Sequence, residues 1–260
     1  GGGDAGGGGG GGDEADAARC DIAVVSGEAV AADPEAFFDR FLVGATPVLV
    51  RGMLQADGAL SHLPSAYSRD RLLGSLGESV WELGEIPYQG RYKDEAPAPT
   101  SLAAYVREHI DGCAVDVCPH YVFAERFQRD GVETLFKSAG LAPLPSWAAA
   151  AMQHGLRTAG AQFYLGGPNT GAPMHFHQPA YNQLVHGRKR WLLTPPRHAV
   201  FSMRPAHEWV AERLPALVAQ NAAIFRCEQR AGDMLMLPDL WGHLTFNVET
   251  SVGYAQEFGY

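Results

Sequence analysis

The chain has 260 residues, 46% of them hydrophobic and 19% charged, with a formal net charge of −9. That length builds one large domain or two small ones, with ample core and no need for staples. The acidic balance excludes nucleic acid or an anionic membrane as the main partner, and no apolar run reaches the roughly 18 residues a membrane span requires.

Ten of the first twelve residues are glycine, so residues 1–17 read as a disordered tail that offers nothing apolar to offset ordering entropy. The domain then runs over 18–260, with helices and short strands in 18–157 and a barrel in 158–260. The opening residues show no basic and apolar leader, and a mature form that has lost one would read the same. Four cysteines, Cys20, Cys113, Cys118 and Cys227, are too few for a disulfide scaffold and form no C-x-x-C pair. Cys113 and Cys118, with His120 just beyond, read as loop thiols or a local disulfide ahead of a labile metal or redox pair.

In chain order, Ile22–Val25 reads as a strand. Pro34–Leu42 reads as an amphipathic helix with Phe37, Phe38, Phe41 and Leu42 on one face. Pro47–Val50 is a buried strand, and Ser68–Leu76 is a helix with Ser68 in the capping position. Strands at Val80–Leu83 and Tyr121–Ala124 flank a helix at Ser101–Ile110, and helices follow at Leu135–Leu141 and Ser146–His154. The texture then turns to β. Short runs with turn signals between them fall at Ala161–Leu165, Pro173–Gln178, Tyr181–His186, Lys189–Thr194, Ala223–Cys227, Asp233–Leu237, His243–Val248 and Val252–Phe258. Eight such strands predict a mainly β fold, a double-stranded jelly-roll barrel with the N-terminal helices packed on it. A helical insertion at Glu208–Gln220 interrupts the barrel.

The densest group of metal-ligand side chains is His175 and His177, spaced i and i+2 around Phe176. On a strand both imidazoles project to one face and Phe176 to the other. A third ligand must come from a strand adjacent in space, and His243 is the candidate. Its context, from Gly232 through Pro238 to His243 and Asn247, resembles the second cupin motif, with Leu240 where a glycine is usual.

The run from Asn182 through Gly187, Lys189 and Trp191 to Pro196 resembles the signature of the JmjC (Jumonji C) oxygenases, and the likeness extends from about Cys20 to Tyr260. The resemblance implies a cupin-type barrel, Fe(II) held by His175, His177 and His243, and 2-oxoglutarate as cosubstrate, with zinc or another divalent metal as the alternative. It implies that Lys189 pairs with the far carboxylate of 2-oxoglutarate and that Asn182 helps hold it; a strand amide is the plain alternative for Asn182. Lys189 must face opposite to Arg188 and Arg190, which allows it to point inward, where an ammonium is costly unless an anion meets it. Ser68–Leu73, Gly187–Trp191 and Cys227 ahead of Arg230 are most similar to a family member of the endoplasmic reticulum lumen. That likeness implies the same compartment, the cytoplasm being the alternative, and a Cys20–Cys227 disulfide.

The chain departs from the family at three places. His177 stands where a carboxylate ligand is usual, which lowers electron donation to iron and weakens selection against zinc, copper and nickel. Ala172 and Ala255 stand where hydroxyls often assist the cosubstrate. Three functions remain open: a JmjC-type oxygenase acting on a protein side chain, a catalytically degenerate JmjC-fold metal-binding or interaction protein, and a three-His dioxygenase acting on a small molecule. Metal affinity is expected to fall below roughly pH 6.5, where free imidazoles protonate. Oligomeric state is not encoded in any motif here.

Overall fold

The structure, a computed structural model, describes residues 20–86, 99–113, 120–123, 136 and 138–259. The glycine-rich tail and Cys118 lie outside the described residues, as do Leu135 and Lys137 of the helix expected at Leu135–Leu141; of its described residues Phe136 and Ser138 are helical, while Ala139 and Gly140 form a turn and Leu141 is irregular.

The chain begins with β1 (Ala23–Ser26), α1 (Gly27–Ala32) and α2 (Pro34–Phe37). Ser26 accepts the Ala29 N–H at 3.2 Å, and Asp33 accepts the Ala36 N–H at 3.0 Å, each satisfying a donor orphaned at a helix start. The helix expected over Pro34–Leu42 changes pitch, because Phe38–Val43 is π-helical. Phe37, Phe38, Phe41 and Leu42 are all buried there. After β2 (Val48–Arg51) come α3 (Met53–Ala56), α4 (Leu63–Ala66) and α5 (Arg69–Leu76). Ser68 occupies the cap position of α5, but its side chain makes no cap bond. Three two-residue strands follow, β3 (Val80–Trp81), β4 (Leu83–Gly84) and β5 (Thr100–Ser101), then α6 (Leu102–Tyr105), which runs on as a π-helix over Val106–Asp111. β6 (Tyr121–Phe123) and α7 (Ser146–Gln153) complete the N-terminal part.

The remaining elements are β7 (Arg157–Gly166), β8 (Ala180–His186), β9 (Arg188–Thr194), α8 (Ala206–Glu212), α9 (Leu214–Ala219), β10 (Phe225–Arg230), β11 (Met234–Leu237), β12 (Gly242–Asn247) and β13 (Ser251–Gly259). One sheet has eight strands in the order β1-β2-β11-β8-β13-β7-β6-β4, and a second has three in the order β10-β9-β12. All pairings in these sheets are antiparallel except β1 with β2. From β8 onward the chain crosses between the sheets, and this crossing builds the jelly roll. The β8–β9 corner is the single residue Gly187, at φ +95°, where a Cβ would meet the Thr250 carbonyl oxygen at 2.3 Å. Only glycine combines that left-handed backbone with that approach.

The helices cover the outer face of the large sheet through an apolar core that includes Trp147, Phe163, Tyr181, Tyr254 and Phe258. A second cluster, with Leu49, Trp191, Leu193, Leu235 and Leu237, lies between the two sheets. The expected helical insertion is two helices, α8 and α9, meeting at Arg213. Trp209 and Ala206 seal it onto Met174, Leu192 and Leu244.

The Cys20–Cys227 disulfide is formed, closing a separation of 207 residues. Loop-closure entropy for that span contributes about 5 kcal/mol by the chain-entropy rule. Cys113 is disulfide-bonded too.

Candidate metal and cosubstrate site

The strand expected over Pro173–Gln178 is not a regular strand. Thr170 and Ala172 accept from Asn247 and Thr245 at 2.8 and 2.9 Å, but the next bonded partner is His175, which exchanges bonds with His243 at 2.9 and 2.8 Å. The register therefore slips by one residue around Pro173, which has no N–H to give to the ladder, and the segment bulges. The bulge keeps the two histidines close. Ring centroids are 5.3 Å apart for His175 and His177, 4.1 Å for His175 and His243, and 4.7 Å for His177 and His243. One nitrogen from each ring falls within 4.8 Å of the others.

The backbone sets the tautomers. Nδ1 of His175 lies 2.7 Å from the Pro173 carbonyl oxygen, that of His177 is 2.7 Å from Gln178 O, and that of His243 is 2.9 Å from Trp241 O. A carbonyl only accepts, so each Nδ1 carries the proton and donates, leaving a lone pair on each Nε2. A carbonyl holding the Nδ1 proton in this way fixes each ring's orientation and turns its free nitrogen toward a metal. Burial pushes His175 down to about 3, with neighbouring His177 adding to the effect, and burial with His175 beside it pushes His243 well below 6.5. Both rings are therefore neutral far into acid, and the expected onset of proton competition near pH 6.5 is corrected downward for these two.

Alternation along β9 places Lys189, Trp191 and Leu193 on the inner face, opposite Asn247, Thr245 and His243 of β12. Lys189 is 5% exposed, while Arg188 and Arg190 are half-buried on the other face beside Glu228. The Lys189 Nζ lies 3.7 Å from the centroid of the Tyr164 ring, and among the described residues it has no hydrogen bond or ion pair. Burial lowers its pKa to about 7. Asn182 is also on the inner face, its Oδ1 accepting from the Tyr164 hydroxyl at 2.8 Å. Among the described residues, neither the Asn182 amide N–H2 nor the buried Asn247 Oδ1 has a hydrogen-bond partner. Ala255 sits directly opposite Asn182, and Ala172 donates its N–H to the Thr245 hydroxyl at 3.2 Å.

The chain's similarity to known proteins decides the family. The cupin-like domain model matches residues 34–252. Human JmjC domain-containing protein 8 is 30% identical over 212 residues, covering 79% of this chain and 73% of that protein. The mouse JmjC domain-containing protein 8 is 36% identical over 211 residues, with 79% and 72% covered. The chain belongs to the JmjC-domain cupin family. A zebrafish (Danio rerio) relative, 2-oxoglutarate and iron-dependent oxygenase JMJD4, is 28% identical over 102 residues, covering 34% of this chain and 24% of that protein.

Within this JmjC domain, two inner-face residues escape a motif-based reading. Tyr164 carries no motif, and its position over Lys189 follows only from the pairing of β7 with β13. Thr245 shares the face of His243 two residues away on β12, and its bond to Ala172 depends on contact between separate segments. The Leu240 departure also has a structural counterpart. Leu240 has φ +59° and is 47% exposed, so it holds a glycine conformation while presenting its side chain outward. Leu240→Gly is expected to stabilise the fold by about 0.5–1 kcal/mol, since relief of the left-handed strain exceeds the added chain entropy. Urea denaturation checks this, and an unchanged or lower midpoint would contradict the strain argument.

Proposed function

We propose that this JmjC protein is an oxygenase in which His175, His177 and His243 hold Fe(II) and Lys189 and Asn182 hold 2-oxoglutarate. The observation that carries the reading is the buried Lys189 amine, stacked over Tyr164 but without a hydrogen bond or counter-ion among the described residues, on the same inner face as three imidazoles with fixed tautomers. A buried cation without a counter-ion is retained against a cost, and a dicarboxylate entering the barrel would remove that cost. The donor set fits a divalent metal: three neutral nitrogen ligands leave open positions on the ion for cosubstrate and oxygen.

When bound, the iron supplies oxygen activation coupled to oxidative decarboxylation of 2-oxoglutarate. The chain's own part is positioning. The Pro173, Gln178 and Trp241 carbonyls hold the three rings in the ligating tautomer. Lys189 meets one carboxylate of the diacid, and the Asn182 amide offers a donor beside it. Trp191 and Leu193 line the inner wall between them and exclude water, which strengthens each electrostatic contact inside.

The substrate in this reading is a protein side chain. His177 is only half-buried and its neighbours Phe176 and Gln178 are exposed, so the metal position opens to the surface on that side. Phe176, Val200, Phe201 and Leu240 are exposed apolar side chains on the three segments around it. Leu240 donates its N–H to the His177 carbonyl, and Ser202 donates to the Met174 carbonyl. Such a rim suits a polypeptide better than an engulfed small molecule. Residence in the endoplasmic reticulum lumen is part of the same proposal, supported by the two disulfides and by the likeness to JmjC domain-containing protein 8.

A second reading, a metal-binding interaction protein without turnover, is favoured by His177 at the carboxylate position and by Ala172 and Ala255. One series separates them. The wild-type chain with added iron is assayed for uncoupled 2-oxoglutarate turnover, alongside His177→Asp. Oxygenase function predicts turnover that rises at least several-fold in His177→Asp, because the carboxylate increases donation to the iron. Metal retention with no 2-oxoglutarate affinity in either protein would establish the second reading and sink the first.

A further inference from the structure

On the opposite side of the large sheet from the imidazoles lies a cavity of about 330 Å³. Leu72, Leu73, Leu102, Val106, Leu165 and Val252 form its apolar walls, and it is the space where α5 and α6 fail to close over the ends of β7, β8 and β13. Packed interiors leave few voids larger than a water molecule, whereas ligand pockets begin at about 300 Å³. Ser68, Arg69, Leu72 and Leu73, four residues of the Ser68–Leu73 motif that the metal site leaves unused, all contribute to it.

The polar groups at the cavity define what it accepts. Arg69 is the only lysine or arginine lining it among the described residues, and both its terminal nitrogens are engaged by the Asp111 carboxylate. An anionic ligand would meet a neutralised guanidinium with a carboxylate behind it. His186 lines the cavity with its Nε2 at 3.0 Å from the Pro64 carbonyl oxygen. A carbonyl oxygen only accepts, so Nε2 donates, and in the neutral imidazole Nδ1 is the acceptor. The hydroxyls of Ser68 and Thr250 make no hydrogen bond among the described residues, and the Ser68 side chain does not cap its own helix. The chamber is therefore apolar, without free charge, and bordered by one fixed acceptor and two idle hydroxyls.

We infer that this cavity is a binding site for a small neutral amphiphile, a medium-length aliphatic molecule ending in a hydrogen-bond donor. The site is independent of the metal and of the oxygenase reading, so it stands or falls separately from them. The ligand's chain occupies the leucine and valine walls, and its hydroxyl donates to His186 Nδ1.

The test uses the full chain without added metal, Nile red as a reporter of the apolar chamber, and 1-decanol as the probe. Decanol is expected to displace the dye with saturable, one-site behaviour. Its methyl ether, which lacks the donor, should bind at least fivefold more weakly. In His186→Leu the alcohol and the ether should become equal. Leu73→Trp, which fills the chamber, should weaken decanol at least tenfold, with Ile110→Phe as a second filler if the first variant does not fold by circular dichroism. Displacement that never saturates, equal affinity for alcohol and ether in the wild type, or decanol binding unchanged by a folded filler variant would each overturn the assignment. The wild-type comparison of alcohol with ether decides the matter even if neither filler folds.

Discussion

His243→Ala is expected to weaken Fe(II) or Zn(II) binding by about 100-fold or more, because it removes one of three ligands whose orientation the backbone already fixes. The same variant should also flatten the acid sensitivity of the metal-free protein. Burial holds His175 at about 3 and His243 well below 6.5, whereas in the unfolded chain both take up a proton near 6.5. Between those values the unfolded state binds more protons, so stability falls as pH drops from 6.5 toward 3, by up to about 1.4 kcal/mol per pH unit for each such histidine. Removing His243 removes its share of that slope. Metal titration by calorimetry and urea denaturation at several pH values between 4 and 7 measure the two effects. Undiminished affinity in His243→Ala would show that the three rings do not share an ion, and an unchanged pH slope would show that burial does not shift this imidazole.

The second large effect has opposite signs in two assays. Lys189→Met should abolish measurable 2-oxoglutarate binding, a loss of about 100-fold or more, since it leaves the diacid's far carboxylate without a charge partner. It should at the same time stabilise the ligand-free protein by a few kcal/mol, because a buried ammonium gives way to a side chain of similar length that needs no solvation. The folded pKa is about 7, against about 10.4 for a free lysine. Below 7 both states are protonated and the desolvation cost is complete, so the gain from Lys189→Met is largest there. Stability of the wild type then rises with pH between 7 and 10, as the unfolded chain alone keeps the proton, and the gain fades. Cosubstrate binding near pH 8 should take up part of a proton, measurable by calorimetry in buffers of different ionisation enthalpy. A variant that loses both stability and 2-oxoglutarate affinity would mark Lys189 as a packing residue and overturn its proposed role.

Much of the barrel could be read from periodicity, for a definite reason. A strand that faces apolar core on one side and an interior site on the other repeats every two residues, so Lys189 separates from Arg188 and Arg190 without reference to the fold. The element types of β8, β9, β11, β12 and β13 follow from the same signal. The helices were less legible in detail. Phe37, Phe38, Phe41 and Leu42 report a helical face, but not the wider π-turn that buries all four. The break between α8 and α9 falls in a pattern that otherwise reads as continuous. The segment before His175 reads as a strand because its pattern alternates, yet Pro173 cannot give a bond to the ladder and displaces the register.

The imidazole pair at i and i+2 and the alternation that lets Lys189 point inward are properties of the sequence itself, since each depends only on spacing. What the sequence alone leaves open is which strands lie side by side. Only tertiary structure brings His243 against His175, sets Tyr164 over Lys189 and aims a carbonyl at each Nδ1. Those contacts join residues far apart in the chain, and their register comes from long-range strand pairing, which no local pattern encodes.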